Sequence, residues 1–256
     1  MKINQIYTFS HLRNFSYILE TYEGIFCVDP YYSKQVIDFL GERKLYAIIN
    51  THEHGDHTRG NHELVKFYNC QVWAHLNAKG KIEGVSRFLA KGEEISLGSG
   101  WQMEIMDTPG HTFAHLCLLI KKNQNPFAVI TGDTLFNAGV GNCYNGGDPK
   151  VLFSTIYEQF INLPGNVILY PGHEYLESNL RFCLDREPGN KDAKKLFEEV
   201  TNLNMETDFF STNMEIEKKI NPFMRLDRPE IIKNLKGNYK DPEKVFLRLR
   251  DLRDKW

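Results

Sequence analysis

Apolar residues come in short runs along the first two-thirds of the chain, each closed by turn-forming residues. "INQIYTF", "FSYILET" and "IFCVD" read as strands separated around Asn14 and Gly24. A helix is expected from Ser33, placed as its N-cap, to about Gly41. The strand "YAIIN", a short helix near "NHELVKFY" and the strand "CQVWAH" follow. "EISLGSGWQMEIMDT" reads as a hairpin turning between Gly98 and Gly100, and "HLCLLIKK", "FAVITGD" and "NVILYPGH" read as further strands. A longer helix, "DPKVLFSTIYEQFINL", precedes the last of them. After about Gly172 the strand pattern stops, and the rest reads as helices broken at "REPGNKD", "NPF" and "GNYKDP". This mixture predicts a layered α/β (α+β) architecture, with residues 1–172 as one domain and 173–256 as a smaller helical one.

Four of these strands end in the same way. Thr51-His52 follows "YAIIN", Gly110-His111 follows "MEIMDTP", Gly132-Asp133 follows "FAVIT", and Gly172-His173 follows "NVILYP". Polar groups at the ends of strands in α/β layers converge on one sheet edge, where ligands bind. The first of these ends opens the run His52-x-His54-x-Asp56-His57. Imidazole and carboxylate at this spacing suit zinc, and also iron or manganese. A solvated, histidine-rich loop is the plain alternative. His52, His54, Asp56, His57, His111, Asp133 and His173 together make seven donors, too many for one tetrahedral zinc. Two ions that share Asp133 and one hydroxide would use them all.

Bulk properties narrow the class. The chain has 256 residues and a net charge of −2, which gives no general argument for nucleic acid or a membrane. Its N-terminal stretch lacks the apolar run of a signal sequence, and no segment approaches ~18 uninterrupted apolar residues, so a soluble cytoplasmic protein is expected. Nothing speaks for an oligomer, and a monomer is expected. The five cysteines are widely spaced and form no CxxC pair, which leaves histidine and aspartate to hold any metal. Asp29 in "CVDP" is a candidate to hold a metal-bound histidine from behind, unless it is an ordinary turn aspartate. His115 likewise reads as a partner of the donors, or else as a surface or satisfied core histidine. His62 is expected to face solvent or to cap locally, and Glu53, between two donors, to be a solvated bystander.

The run HxHxDH with later "TPGHT", "GDTLFNAGVG", "PGHEYLESNLRF" and "NPFMR" resembles the metallo-β-lactamase fold family, and within it glyoxalase II, the hydroxyacylglutathione hydrolases. The resemblance spans nearly the whole chain. It implies a four-layer αββα sandwich with a metal site at one edge and a smaller C-terminal helical domain. It further implies His52, His54 and His111 on one metal, Asp56, His57 and His173 on a second, and Asp133 bridging them. The implied activity is hydrolysis of S-D-lactoylglutathione to D-lactate and glutathione, by attack of a hydroxide shared between two divalent ions, zinc foremost. Asp56 and Asp133 are the catalytic carboxylates of that scheme. Two rivals share the fold: a one-iron persulfide dioxygenase and a nucleic-acid phosphodiesterase.

The terminal segment "DPEKVFLRLRDLRDKW" places Val245, Phe246, Leu249, Leu252 and Trp256 on one helical stripe. Arg253 falls within that stripe and Arg250 at its edge, so Arg253 needs a partner or an opening, or it snorkels. From Lys218 onward there are twelve Lys and Arg against six Asp and Glu. The glyoxalase II resemblance implies that Arg250 and Arg253 bind the glycine carboxylate of glutathione, with Tyr144 and Tyr175 touching the same moiety. After "GDTLFNAGVG" that family carries a basic residue, whereas this chain has Asn142, then Cys143 and Tyr144. Asn142 still donates hydrogen bonds, but without charge assistance.

Overall fold

The structure, a computed structural model, describes residues 1–204, 207–237 and 239–256. The chain runs through β1 (Lys2–Tyr7), β2 (Phe15–Glu20), β3 (Ile25–Val28), α1 (Ser33–Leu40), β4 (Leu45–Ile49), α2 (Gly55–Thr58), α3 (Asn61–Tyr68), β5 (Gln71–His75) and β6 (Arg87–Leu89). It continues through β7 (Glu94–Gly98), β8 (Trp101–Asp107), β9 (Leu116–Lys122), β10 (Asn125–Gly132), β11 (Leu135–Phe136), β12 (Gly139–Val140), α4 (Pro149–Thr155) and β13 (Ile168–Pro171). Helices α5 (Leu176–Arg186), α6 (Lys191–Val200), α7 (Met214–Ile220), α8 (Pro229–Asn234) and α9 (Pro242–Asp254) complete it. No helix among the described residues is long and apolar enough to cross a membrane.

Strands β1 to β6 form one sheet in chain order, antiparallel at first and parallel from β3 onward. The second sheet has the order β13-β10-β9-β8-β7, with β10 and β13 parallel and the other pairs antiparallel. Side chains alternate faces along a strand, and here both faces are apolar. Tyr17 and Leu19 of β2 point between the sheets with Ala47, Ile49, Ile105, Leu118 and Ile130. Their neighbours Ile18, Cys27 and Ile48 face outward onto Val36 and Leu40 of α1 and Leu64 of α3. On the far side, Cys117, Leu119, Val129 and Leu169 pack against Leu152 of α4 and Val245, Phe246 and Leu249 of α9. The result is the expected helix–sheet–sheet–helix sandwich, with α9 built into its fourth layer. A smaller cluster, including Leu180, Leu196, Val200 and Ile220, joins α5, α6 and α7.

Several local expectations are corrected. Ser33 is the first residue of α1, not its cap; Tyr32 precedes the helix, and the Ser33 hydroxyl donates instead to Glu63 on α3. A carboxylate on a neighbouring helix competes well for a short hydroxyl. The helix begun by Asp148, which caps Lys150 and Val151, ends at Thr155 and continues as a π turn over Ile156–Phe160. Strands β6, β11 and β12 were too short to show a period. On α9, Arg250 is buried with Val245, Phe246 and Leu249, while Trp256 lies beyond the helix end and is half exposed. The buried arc is therefore rotated from the apolar stripe, because Arg250 finds internal acceptors.

Phe246 is fully buried, with ring centroids 5.1 Å from Phe223 and 5.5 Å from Phe153. Phe246→Ala is expected to cost about 3–5 kcal/mol. In urea unfolding followed by both tryptophan fluorescence and circular dichroism, the loss is expected within one shared transition. A separate early transition of the helical region would contradict a common core.

Candidate metal centre

The turn after β4 is fastened before it reaches its donors. Asp29, at the end of β3, accepts from the Thr51 amide at 2.8 Å and the Thr51 hydroxyl at 2.6 Å. Asn50 donates to the His57 carbonyl at 2.8 Å. Helix α2 then sets Asp56 and His57 in its first turn, leaving His52 and His54 on the extended approach. The other donors arrive on loops after β8, β10 and β13. Two glycines there are obligatory through close approach. Gly132 has φ +46°, and a Cβ on it would fall 2.8 Å from His115 Nε2. A Cβ on Gly172 would strike the Asp133 carboxylate. This is why glycine precedes the donor at both strand ends.

All seven sequence-predicted donors meet at one edge. His52 Nε2 and His111 Nε2 lie 3.1 and 3.0 Å from His54 Nδ1. His57 Nε2 and His173 Nε2 are 3.3 Å apart, and each lies 3.5 Å from Asp56 Oδ2. Asp133 stands between the groups: Oδ1 is 3.4 Å from His57, while Oδ2 is 3.5 Å from His111 and 3.2 Å from His173. A tetrahedral ion with ligands at about 2.0–2.1 Å separates its ligand atoms by about 3.3 Å. The spacing within each group therefore fits an ion, and the shared carboxylate fits two.

The imidazoles are held from behind at their other nitrogens. His57 Nδ1 donates to Asp29 Oδ2 (2.9 Å), His111 Nδ1 to the Asn142 carbonyl (2.6 Å), and His173 Nδ1 to the Leu12 carbonyl (2.8 Å). His52 Nδ1 meets the Thr51 hydroxyl at 3.0 Å and His54 Nε2 the Asn145 carbonyl at 3.0 Å. Each ring is thereby set to turn a lone pair inward. Asp29 is a buried partner of His57 and Thr51, not a simple turn residue. His115 is a satisfied core histidine and also a partner of the donors. Its Nε2 accepts from the Asp133 amide at 3.1 Å, and its ring stacks on His52 at 5.0 Å. His62 is exposed. Glu53 corrects its expectation: it accepts from Lys81 (2.6 Å) and Thr112 (2.8 Å), tying the His52 stretch to the loop of His111. Alternation does turn Glu53 away from the donors, but toward a neighbouring loop rather than solvent. Asn14, which by its sequence context is only a turn residue, donates to Asp56 Oδ2 at 2.9 Å.

Electrostatics support the same fit. Asp133 Oδ1 is buried and accepts no hydrogen bond, a costly state for a carboxylate oxygen unless a cation meets it. Burial would raise the Asp133 carboxyl, but His173 and His57 hold it well below the usual range. Burial and the charge of His57 push His52 well below its ordinary value. Burial opposes charge on His57 too, yet Asp133, Asp29 and Asp56 outweigh it and raise His57 to about 10.

Beside this edge lies a cavity of about 190 Å³, lined by Phe136, Asn142, Tyr144, Tyr175, Arg250 and Arg253 among others. Tyr175 stacks on His173 at 4.9 Å and donates to the Leu12 carbonyl. Tyr144 is exposed at the rim. The Asn142 side chain accepts from the Tyr144 amide, while its carbonyl serves His111. The two arginines differ. Arg250 donates to the carbonyls of Val140 (2.8 Å) and Gly141 (3.1 Å) and pairs with Asp254 (2.7 Å). Arg253 reaches Ser178 and Asn179 through Nη2 alone, each at 3.2 Å.

A two-sheet sandwich with histidine and aspartate donors at one edge defines the metallo-β-lactamase superfamily. The family model of that superfamily matches residues 16–173, and the model described as "Hydroxyacylglutathione hydrolase C-terminus" matches residues 174–256. The chain is 44% identical to a hydroxyacylglutathione hydrolase of Nitrosococcus oceani, with 100% of both chains covered. It is 39% identical to a hydroxyacylglutathione hydrolase of a Polaromonas species, again over 100% of both. The crystal structure of ETHE1 from Myxococcus xanthus shares the fold, with a TM-score of 0.66 at 21% identity over 99% of this chain and 98% of that one. This chain belongs to the hydroxyacylglutathione hydrolase (glyoxalase II) family of the superfamily.

The raised pKa of His57 has a sign that can be tested. The stabilisation it lends the metal-free fold is complete below the ordinary 6.5 and fades as pH rises through about 10. For chelator-stripped protein, the urea midpoint is expected to fall across that window, and Asp29→Asn is expected to flatten the fall. A flat profile for the unaltered protein would remove the proton from His57.

Proposed function

We propose that this chain is a binuclear metal-dependent thioesterase that hydrolyses S-D-lactoylglutathione to D-lactate and glutathione, in methylglyoxal detoxification. The observation that supports the two-ion reading is Asp133, whose carboxylate lies within 3.5 Å of His111 of one group and of His57 and His173 of the other. His52, His54 and His111 would hold one ion, Asp56, His57 and His173 the other, and Asp133 both. When bound, two divalent ions supply a hydroxide near neutral pH and a Lewis acid for the carbonyl oxygen. Zinc is the first choice, with iron and manganese compatible with the same donors. Asp56 would also orient the nucleophile by accepting its hydrogen bond. A thiol leaving group, with pKa about 8.5, departs as thiolate without a proton donor. No residue is assigned that role.

The thiol half of the substrate is assigned to the neighbouring cavity. Arg253 keeps donors in reserve for a carboxylate, and Tyr144 and Tyr175 offer ring surface, the Tyr175 hydroxyl already donating to the Leu12 carbonyl. Arg250 is spent on Val140, Gly141 and Asp254, so it supports the site from behind. Asn142 contributes a hydrogen bond where a cation would grip more strongly. In this reading residues 1–172, together with His173, carry the chemistry, and residues 173–256, together with Asn142 and Tyr144, form the thiol site. The protein works as a cytoplasmic monomer, and its cysteines, free in the structure, suit a reducing compartment.

Hydrolysis of S-D-lactoylglutathione, with metal content measured on the same sample, is the direct test. Turnover is expected to track metal content up to two ions per chain. Full occupancy without turnover would sink the substrate assignment. Asp133→Ala is expected to lose both metal and turnover. Arg253→Ala is expected to raise KM about 10- to 100-fold with little change in kcat, as for one charge-assisted bond lost. An unchanged KM would remove Arg253 from the thiol site.

A further inference from the structure

Asp56 and His173 share one support. The turn between β1 and β2, Ser10 to Asn14, closes with the Thr8 amide donating to the Asn14 carbonyl at 3.0 Å. Asn14 is 1% exposed. Its side-chain amide donates to Asp56 Oδ2 at 2.9 Å and to the Asp56 carbonyl at 3.3 Å. Its Oδ1 accepts from the Ser10 hydroxyl at 2.7 Å, which sets the amide with its N–H side toward Asp56. The Asn14 backbone forms an antiparallel bridge with His173, and the next amide, of Phe15, donates to the Gly172 carbonyl. Two residues earlier, the Leu12 carbonyl takes the His173 Nδ1 proton.

The remaining donors are held elsewhere. Thr51 supports His52, Asn145 supports His54, Asn142 supports His111, and Asp29 supports His57. Asp29 joins the supports of His57 and His52 through the Thr51 hydroxyl, but the turn of Asn14 touches only Asp56 and His173. Asp56 Oδ2 is also the oxygen that faces His57 and His173. A donor on that oxygen fixes the carboxylate's rotation, so that its remaining lone pair points into the group.

We infer that Asn14 is a positioning residue that sets the affinity of the second metal position, Asp56–His57–His173, independently of the first. This rests on the two-ion reading above. Loss of such a partner typically weakens metal affinity about 10- to 100-fold. Here that loss falls on one position, because His52, His54 and His111 keep their own supports.

The test is stepwise zinc binding to the full chain, in competition with a chromogenic chelator. The unaltered protein is compared with Asn14→Leu and with Asn14→Asp, which is equal in size and replaces the donor by a carboxylate oxygen. Melting of the stripped proteins reports folding, and if the leucine variant does not fold, the aspartate variant decides. The first affinity is expected to be unchanged and the second to weaken about 10- to 100-fold in the folded variants. Two ions bound with unaltered affinities would overturn the inference. So would an equal weakening of both, which is what a general structural role predicts. If the unaltered protein binds a single ion, the two-ion reading fails first and this inference falls with it.

Discussion

Five imidazoles and two carboxylates crowd one edge of the sandwich, with donor atoms 3.0–3.5 Å apart. Left alone, inward lone pairs at such distances repel, and the rings would turn away. They stay because each ring is fixed from behind by an oxygen acceptor. The sheets provide those acceptors. Asp29 leaves β3 beside the end of β4, and the Phe15 amide of β2 reaches the Gly172 carbonyl after β13, so the two sheets are fastened where the donors emerge. Everything else about the site depends on that fastening.

The helical region reaches the same edge indirectly. The hairpin of β11 and β12 lies just before Asn142, whose carbonyl orients His111. Four side chains grip it. Asn179 holds the Asn137 carbonyl, Glu217 the Ala138 amide, Asn221 the Gly139 carbonyl, and Arg250 the carbonyls of Val140 and Gly141. Glu217 is fully buried, which raises its carboxyl to about 7 despite hydrogen bonds from Thr212 and Asn221. Residues far along the chain thus set the orientation of one imidazole. Asn179 of α5 and Arg250 of α9 also line the adjoining cavity, so that cavity and His111 share a support.

Much was legible because local rules and global demands agree. The strands read correctly where apolar runs were long, since sheets buried on both faces demand such runs. Strands of two or three residues, such as β6, β11 and β12, carry no period and are formed by their neighbours. Ser33 looked like a cap because capping chemistry is local, yet Glu63 outcompeted the helix end for its hydroxyl. Glu53 looked like a bystander because alternation gives only a direction. Whether solvent or Thr112 waits in that direction is a long-range matter. Arg253 looked like the buried arginine because a helical wheel counts apolar neighbours, whereas Arg250 went inside through backbone carbonyls no wheel contains.

The sequence by itself determined the chemistry of the donors: which residues carry imidazole or carboxylate, and that glycine precedes three of the four strand-end donors. Those facts are local, because a strand end and a residue type can be read from a few neighbours. The tertiary structure alone decided that these donors, far apart in the chain, meet at one edge with Asp133 among them. It also decided which side chains hold them: Asp29, Thr51, His115 and Asn14. Apart from Thr51, which neighbours His52, these partners stand 18 to 42 positions from the donors they hold. Hydrogen bonds depend on distance and angle in space, and residue spacing along the chain carries neither.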